Sequence, residues 1–196
     1  IKFLNNTIKM VLEELDGMIL HSLLSGLWEL QTFQRKIQIF LILKFNDMTS
    51  YTKEIYKFKN NKIQLNSTLS GKFLKLVPVR VTDENIKLIC NWREKYSEGF
   101  LTKFCVTYDG TQKWLRNIWL DPERILFMII YDGEKIGHIG IHRYDKKIKK
   151  ADIDSVLRAV RIVNIRLMKN VLKIMFEWMF NDLKLEKIQL KVFSDN

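Results

Sequence analysis

The chain has 196 residues, with 33 Lys and Arg against 22 Asp and Glu, for a formal net charge of +11. A hydrophobic fraction of 47% with only two prolines and eight glycines excludes a disordered chain and leaves room for one full domain and part of a second. Its two cysteines suggest no disulfide framework and point to a reduced, cytoplasmic setting, and its apolar runs are too short to span a bilayer.

The charge leaves several partners open: nucleic acid, an anionic membrane, a phosphate-bearing cofactor, or only a Lys-rich solvated surface. There is no zinc-finger spacing, RNA-recognition aromatic signature or long basic amphipathic helix, so nucleic acid is the runner-up. No metal site and no membrane partner are expected. The sequence opens at Ile1 without a start Met or signal peptide and stops at Asn196 inside a strand-to-helix pattern. Both ends are read as truncations.

Ile1, Leu4, Ile8, Val11 and Leu15 recur at helical spacing, and Met18–Leu30 is a second apolar stretch. Ile37, Ile39, Leu41, Leu43 and Phe45 alternate as in a strand, and a short strand is expected at Ile63–Leu65. The small, polar run Asn66–Gly71 reads as a linker, dividing an α/β N-terminal extension, residues 1–71, from a second domain, residues 72–196.

From Lys72 the pattern sharpens. Phe73–Val79 predicts a strand. Thr82 caps a helix with Ile86, Leu88, Ile89 and Trp92 on its apolar side, and Thr111 is read as the cap of a second helix ended by Asp121-Pro122. Ile125–Tyr131 is a continuous apolar run, as in a strand buried on both faces. Asp132-Gly133 is a tight-turn dipeptide leading into a return strand, Lys135–His142. Arg143–Lys150 reads as a charged turn and Asp152–Arg158 as the next strand. A helix follows over Leu167–Leu183, buried through Leu167, Val171, Ile174, Met175 and Trp178, then a strand over Glu186–Phe193. The fold class is α/β (α+β): a mixed sheet with helices on both faces.

The junction between the strand ending near Arg158 and the helix starting near Leu167 carries the chemistry. A helix N-terminus offers unpaired amides and the positive end of its dipole. Arg158, Arg161 and Arg166 add cationic charge there, which suits a pyrophosphate.

Three strings extend this reading: LVPVRVTDENIKLICNWRE, FMIIYDGEKIGHIGI and ADIDSVLRAVRIVNIRLMKNVLKIMFEWMFNDLKLEKIQLKVFSDN. In their order they resemble the GNAT superfamily of acyl-CoA N-acetyltransferases, covering its first two-thirds or more. The nearest branch is the one acting on nucleotide-linked amino sugars, of the pseaminic-acid pathway type. The resemblance implies a mostly antiparallel central sheet flanked by helices, incomplete at the C-terminus, and acetyl-CoA as cosubstrate. It implies that Val156 and Leu157 offer backbone groups to the pantetheine and acetyl carbonyl. By the same resemblance the loop through Arg158, Ala159, Val160, Arg161 and Arg166 to Leu167 holds the pyrophosphate, and Asn196 sits where two parallel strands splay. Trp92, Arg93, Tyr96 and Phe100 would shape the acceptor pocket.

The sequence departs from the family pattern at Ala159 and Arg166, where this branch has glycines that turn amides toward phosphate. The family pattern also continues past the closing Asn with a helix and two strands, carrying a Tyr assigned to protonate the leaving thiolate.

Asp154, Glu98 and His138 are the candidate catalytic groups, with Asp152 beside them. For each carboxylate a solvated-surface role competes, and for His138 a core role. The leading function is acetylation of a small amine by direct acyl transfer, with a homodimer left open. A catalytically degenerate binding or scaffold domain and a basic nucleic-acid binder are the alternatives.

Overall fold

The computed structural model describes residues 48–60, 63–99, 105–162 and 166–191. By compactness the chain divides into Ile1–Lys53 and Glu54–Asn196. The elements predicted over residues 1–47 lie outside the described residues, as do Phe100 and Asn196.

Helix α1 spans Ser50–Asn60. Thr49 opens it, its Oγ1 accepting from the Thr52 amide at 3.2 Å. Strands β1 (Leu65–Leu69) and β2 (Lys72–Pro78) form an antiparallel hairpin. Its two turn residues, Ser70 and Gly71, have φ of 54° and 74°, the left-handed pair that a tight hairpin turn demands. The stretch read as a linker is therefore most of β1 and its turn. The hairpin straddles position 71/72, where the sequence reading divides the chain.

Helix α2 (Asp83–Lys95) begins where expected, with Thr82 Oγ1 accepting from the Asn85 amide at 3.3 Å. Helix α3 (Tyr108–Leu120) does not begin at Thr111. Its cap is Thr107, four residues earlier, whose Oγ1 accepts from the Gly110 amide at 3.0 Å. Thr111 instead lies buried inside the helix. Strand β3 (Ile125–Tyr131) is buried at almost every position. The Asp132-Gly133 turn joins it to β4 (Glu134–Asp145), which runs three residues beyond the predicted strand. Strand β5 (Lys150–Arg158) follows after a turn confined to residues 146–149. The Asp145 carboxylate shortens that turn by accepting from the Lys147 amide at 2.9 Å. Helix α4 (Leu167–Asn181) and strand β6 (Lys187–Leu190) complete the described elements.

The six strands lie in the sheet in chain order. All neighbours are antiparallel except β5 and β6, which are parallel and joined through α4. From Lys72 onward the element order is the predicted one, and the sheet is mixed and mostly antiparallel. Alternate residues of β3 serve the two faces. Leu126 and Met128 pack in a cluster with Ile86, Ile89 and Trp92 of α2 and with Leu115 and Ile118 of α3. Phe127 points the other way, meeting Phe58 of α1 at 5.9 Å and Trp178 of α4 at 5.3 Å between ring centroids. Helices thus cover both faces. Cys90 and Cys105 are free thiols.

Candidate active site

The pair β5–β6 is the one parallel pair in the described sheet. Their register runs from Lys150↔Lys187 to Ile153↔Leu190. Strand β5 continues to Arg158, so Asp154–Arg158 lie beyond the last described β6 partner.

On its other edge this segment is bulged. His138 of β4 stands opposite Leu157, and Gly140 opposite Asp154. Two steps along β4 therefore match three along β5, which leaves one extra residue in β5. Ser155 absorbs the kink at φ 53°, left-handed and unfavourable for a residue with a Cβ. Glycines let β4 approach its neighbours closely, Gly137 on the β5 side and Gly140 on the β3 side. A Cβ on Gly137 would meet the Leu157 carbonyl oxygen, a backbone atom, at 2.0 Å, and one on Gly140 would meet the Ile125 oxygen at 2.9 Å.

His138 is buried against the bulge, its ring 6.4 Å from that of Trp92 and 6.2 Å from that of Trp114. Its Nδ1 lies 2.6 Å from the Ser155 carbonyl oxygen. A carbonyl only accepts, so Nδ1 carries the proton and Nε2 presents a lone pair. That Nε2 is buried with no hydrogen-bond partner among the described residues. Burial pushes the imidazole down to about 4; the Ser155 bond opposes this and the Arg93 guanidinium adds to it. His138 is therefore neutral near pH 7.

Asp154 sits one residue before the kink, half-exposed, with its Oδ2 3.9 Å from Arg124 Nη2 and 3.8 Å from His142 Nε2. Partial burial lowers the His142 imidazole from its ordinary value, while Asp154 pulls the other way. Asp152 is buried between Arg143 at 3.8 Å and Lys150 at 3.6 Å. Sequence reasoning singled out Asp154 and missed His142 and Arg124 beside it. Period-two spacing places His138, Gly140 and His142 on one face of β4, a signal that was available. Glu98 is exposed in a single 3-10 turn, Ser97–Gly99, after α2.

At the end of β5 and just after it, Leu157 and Ala159 are buried, while Val156, Arg158 and Arg161 are exposed and Val160 is half-buried. The amides of Ala159 and Val160 both donate to the Ile136 carbonyl, at 2.8 and 3.1 Å. These two donors are engaged by β4 and do not turn outward. The Ala159 carbonyl accepts from the Tyr96 hydroxyl at 2.7 Å, tying the end of α2 to this loop. Helix α4 opens at Arg166, which makes no side-chain cap bond, and its first turn holds no acidic residue. The positive end of the α4 dipole is thus uncompensated by its own residues, and the buried Leu167 anchors it.

Trp92 and Arg93, the residues expected at an acceptor pocket, are buried in the layer between α2, α3 and the sheet. The Arg93 guanidinium stacks 4.2 Å above the Trp114 ring, and its Nη1 bonds Thr111 Oγ1 at 3.3 Å. Among the described residues no cluster of His, Cys, Asp or Glu could hold a metal ion, and no helix is long and apolar enough to cross a membrane.

Known proteins share this fold. A model of the acetyltransferase (GNAT) domain matches residues 74–196. None of the curated protein sequences matches the chain. Among solved structures, a putative acetyltransferase from T. thermophilus superposes with a TM-score of 0.54 at 16% identity, covering 68% of each chain. A spermidine N-acetyltransferase SpeG chimera from Vibrio cholerae and hSSAT gives 0.53 at 15% identity, over 63% of this chain and 73% of that one. FdhC, a nucleotide-linked sugar GNAT, gives 0.53 at 17% identity, over 68% and 76%. These identities speak for the fold alone. With the family model covering well over half of the sequence, the chain belongs to the GNAT acetyltransferases, enzymes that use acetyl-CoA as cosubstrate.

Proposed function

We propose that this protein N-acetylates a small amine by direct transfer from acetyl-CoA, and that the amine is carried on a nucleotide-linked sugar. The observation that carries the reading is the bulge of β5 at Ser155, followed in the chain by Val156–Arg158 and then by the α4 N-terminus at Arg166. An extended backbone edge is what a pantetheine arm pairs with, and an uncapped helix mouth flanked by Arg158, Arg161 and Arg166 is what a diphosphate needs. Because the Ala159 and Val160 amides serve Ile136, the diphosphate relies on the α4 amides and the arginine side chains.

When bound, acetyl-CoA supplies the activated acyl group; the protein's own part is to orient, polarise and move protons. Val156 and Leu157 are the backbone groups nearest the kink and would donate to the oxygen that gains charge during transfer. The attacking amine must be neutral. As its nitrogen bonds the acyl carbon and the carbon–sulfur bond breaks, one proton leaves the nitrogen. Asp154, with the neutral His142 imidazole beside it, is the group placed to take that proton directly or through water. Tyr96, Arg93 and Trp92 would wall the acceptor side.

The charges clustered around Asp152 and Asp154 favour an anionic acceptor. Arg124, Arg143 and Lys150 face two carboxylates, Asp152 and Asp154. The excess cation attracts a nucleoside diphosphate and repels a polyamine. The likeness to FdhC is compatible with that choice, and the likeness to spermidine acetyltransferases supplies the competitor to test. The test is calorimetric titration with acetyl-CoA, with ATP as control, followed by turnover with a nucleoside-diphosphate amino sugar and with spermidine. Acetyl-CoA binding with acetylation of the sugar supports the reading. Binding without turnover of any amine would leave a scaffold role, and no binding would remove the transferase.

A further inference from the structure

We infer that His138 acts as the clasp of the β5 bulge, a positioning residue that holds the kinked backbone in the form that receives the acyl group. The receiving role of that backbone rests on the acetyltransferase reading above; the clasp itself rests on geometry. A bulge removes one residue from the ladder and leaves its backbone groups in want of partners. Here the Ser155 carbonyl finds its partner in a side chain, the His138 Nδ1–H at 2.6 Å, reaching across from the strand it would otherwise pair with. The bond spans the register shift, since His138 stands opposite Leu157 and Gly140 opposite Asp154.

Three features make His138 suited to this. The ring is buried, with the Trp92 and Trp114 rings 6.4 and 6.2 Å away, so it has little freedom to swing out. Gly137 beside it lets the two backbones close, where a Cβ would strike the Leu157 oxygen. And Ser155 sits at φ 53°, a conformation unfavourable for a residue with a Cβ, which a bond to its own carbonyl helps to hold. Released, Ser155 relaxes toward ordinary extended geometry. Val156 and Leu157 then rotate out of the direction they now present.

The variants are His138→Leu, which fills the space without a donor, and His138→Asn, whose amide N–H occupies nearly the Nδ1 position. In the full chain without ligand, amide hydrogen exchange over residues 154–158 should quicken about tenfold in His138→Leu and return to within about threefold of the parent in His138→Asn. Exchange in β3, residues 125–131, serves as the internal reference and should not change. Acetyl-CoA affinity, measured on the same three proteins, should fall about tenfold with Leu and recover with Asn. Unchanged exchange at 154–158 in His138→Leu, or an Asn variant no better than Leu, overturns the clasp. If exchange behaves as expected but the parent protein binds no acetyl-CoA, the clasp stands and the transferase reading falls.

Discussion

At the scale of single residues, His138 shows how burial converts a titratable group into a fixed structural one. Its folded imidazole is pushed down to about 4, against an ordinary value of 6.5. Between those values the unfolded chain takes up a proton that the folded chain refuses. Stability from this source is therefore complete above pH 6.5, is lost progressively as pH falls toward 4, and changes no further below that. The shift corresponds to about 3 kcal/mol. Comparing chemical denaturation of the parent with His138→Asn between pH 7 and 4 isolates it, because other groups titrate in both. The difference in stability should shrink by most of that amount over the window; a pH-independent difference would mean that the histidine is solvated. This burial was only half legible in the sequence. The alternation Gly137–His138–Ile139 placed the residue on a strand, leaving a core role and a cleft role open. What decided between them is the pair of tryptophans brought from two separate helices, which no local pattern encodes.

At the scale of elements, the strands buried on both faces were plain. Ile125–Tyr131 has no polar residue to disguise it, and Asp132-Gly133 fixed its turn. Strand β1 was hidden because Asn66, Ser67 and Thr68 are turn-forming types, and only pairing with β2 makes Leu65–Leu69 a strand. The apolar spacing from Trp114 onward predicts a cap at Thr111; the helix starts one turn earlier, where Tyr108 packs on the core between polar and small neighbours. Two element ends invite experiment. The α3 C-terminus is closed by Lys59 of α1, whose Nζ donates to the carbonyls of Ile118, Trp119 and Asp121 at 2.8, 3.0 and 2.6 Å. Burial pushes this amine down to about 7, yet three acceptors require three N–H bonds, so the geometry demands the ammonium form. Lys59→Met keeps the length of the side chain and leaves those carbonyls unpaired, and should cost about 3 kcal/mol of unfolding free energy in a urea titration. A loss below about 1 kcal/mol would mean that the carbonyls find water instead. At the α4 N-terminus the opposite substitution is informative. Arg166→Ser puts a hydroxyl at this end, able to cap once the residue moves from its helical to an extended conformation, and should raise stability by up to about 1 kcal/mol while weakening acetyl-CoA binding, since a cap hydroxyl competes with phosphate for the same amides. Stability and affinity moving in the same direction would separate the helix mouth from the diphosphate.

At the scale of the whole molecule, the formal charge of +11 admits two physically different uses. A nucleic-acid binder spreads its cations along a tract and releases many counterions, so its affinity collapses between about 50 and 200 mM salt. An enzyme that meets small phosphorylated ligands concentrates a few cations at one place. Arg158, Arg161 and Arg166 lie within one connection of the chain, and Arg124, Arg143 and Lys150 ring the two carboxylates next to the bulge. The second use therefore predicts a shallow response. Acetyl-CoA affinity should weaken only about threefold to tenfold from 50 to 500 mM NaCl, as a handful of partly exposed charges become screened over a Debye length that shrinks from about 14 to about 4 Å. Over the same range the preference for a nucleoside-diphosphate amino sugar above spermidine should narrow, because repulsion of the polyamine is screened together with attraction of the diphosphate. Both quantities come from one series of steady-state and calorimetric measurements. Duplex DNA retained tightly at low salt and lost by a factor of about a thousand at 200 mM would instead assign the charge to nucleic acid. A spermidine preference that holds at every salt concentration would mean that the carboxylates Asp152 and Asp154, rather than the cations around them, select the acceptor.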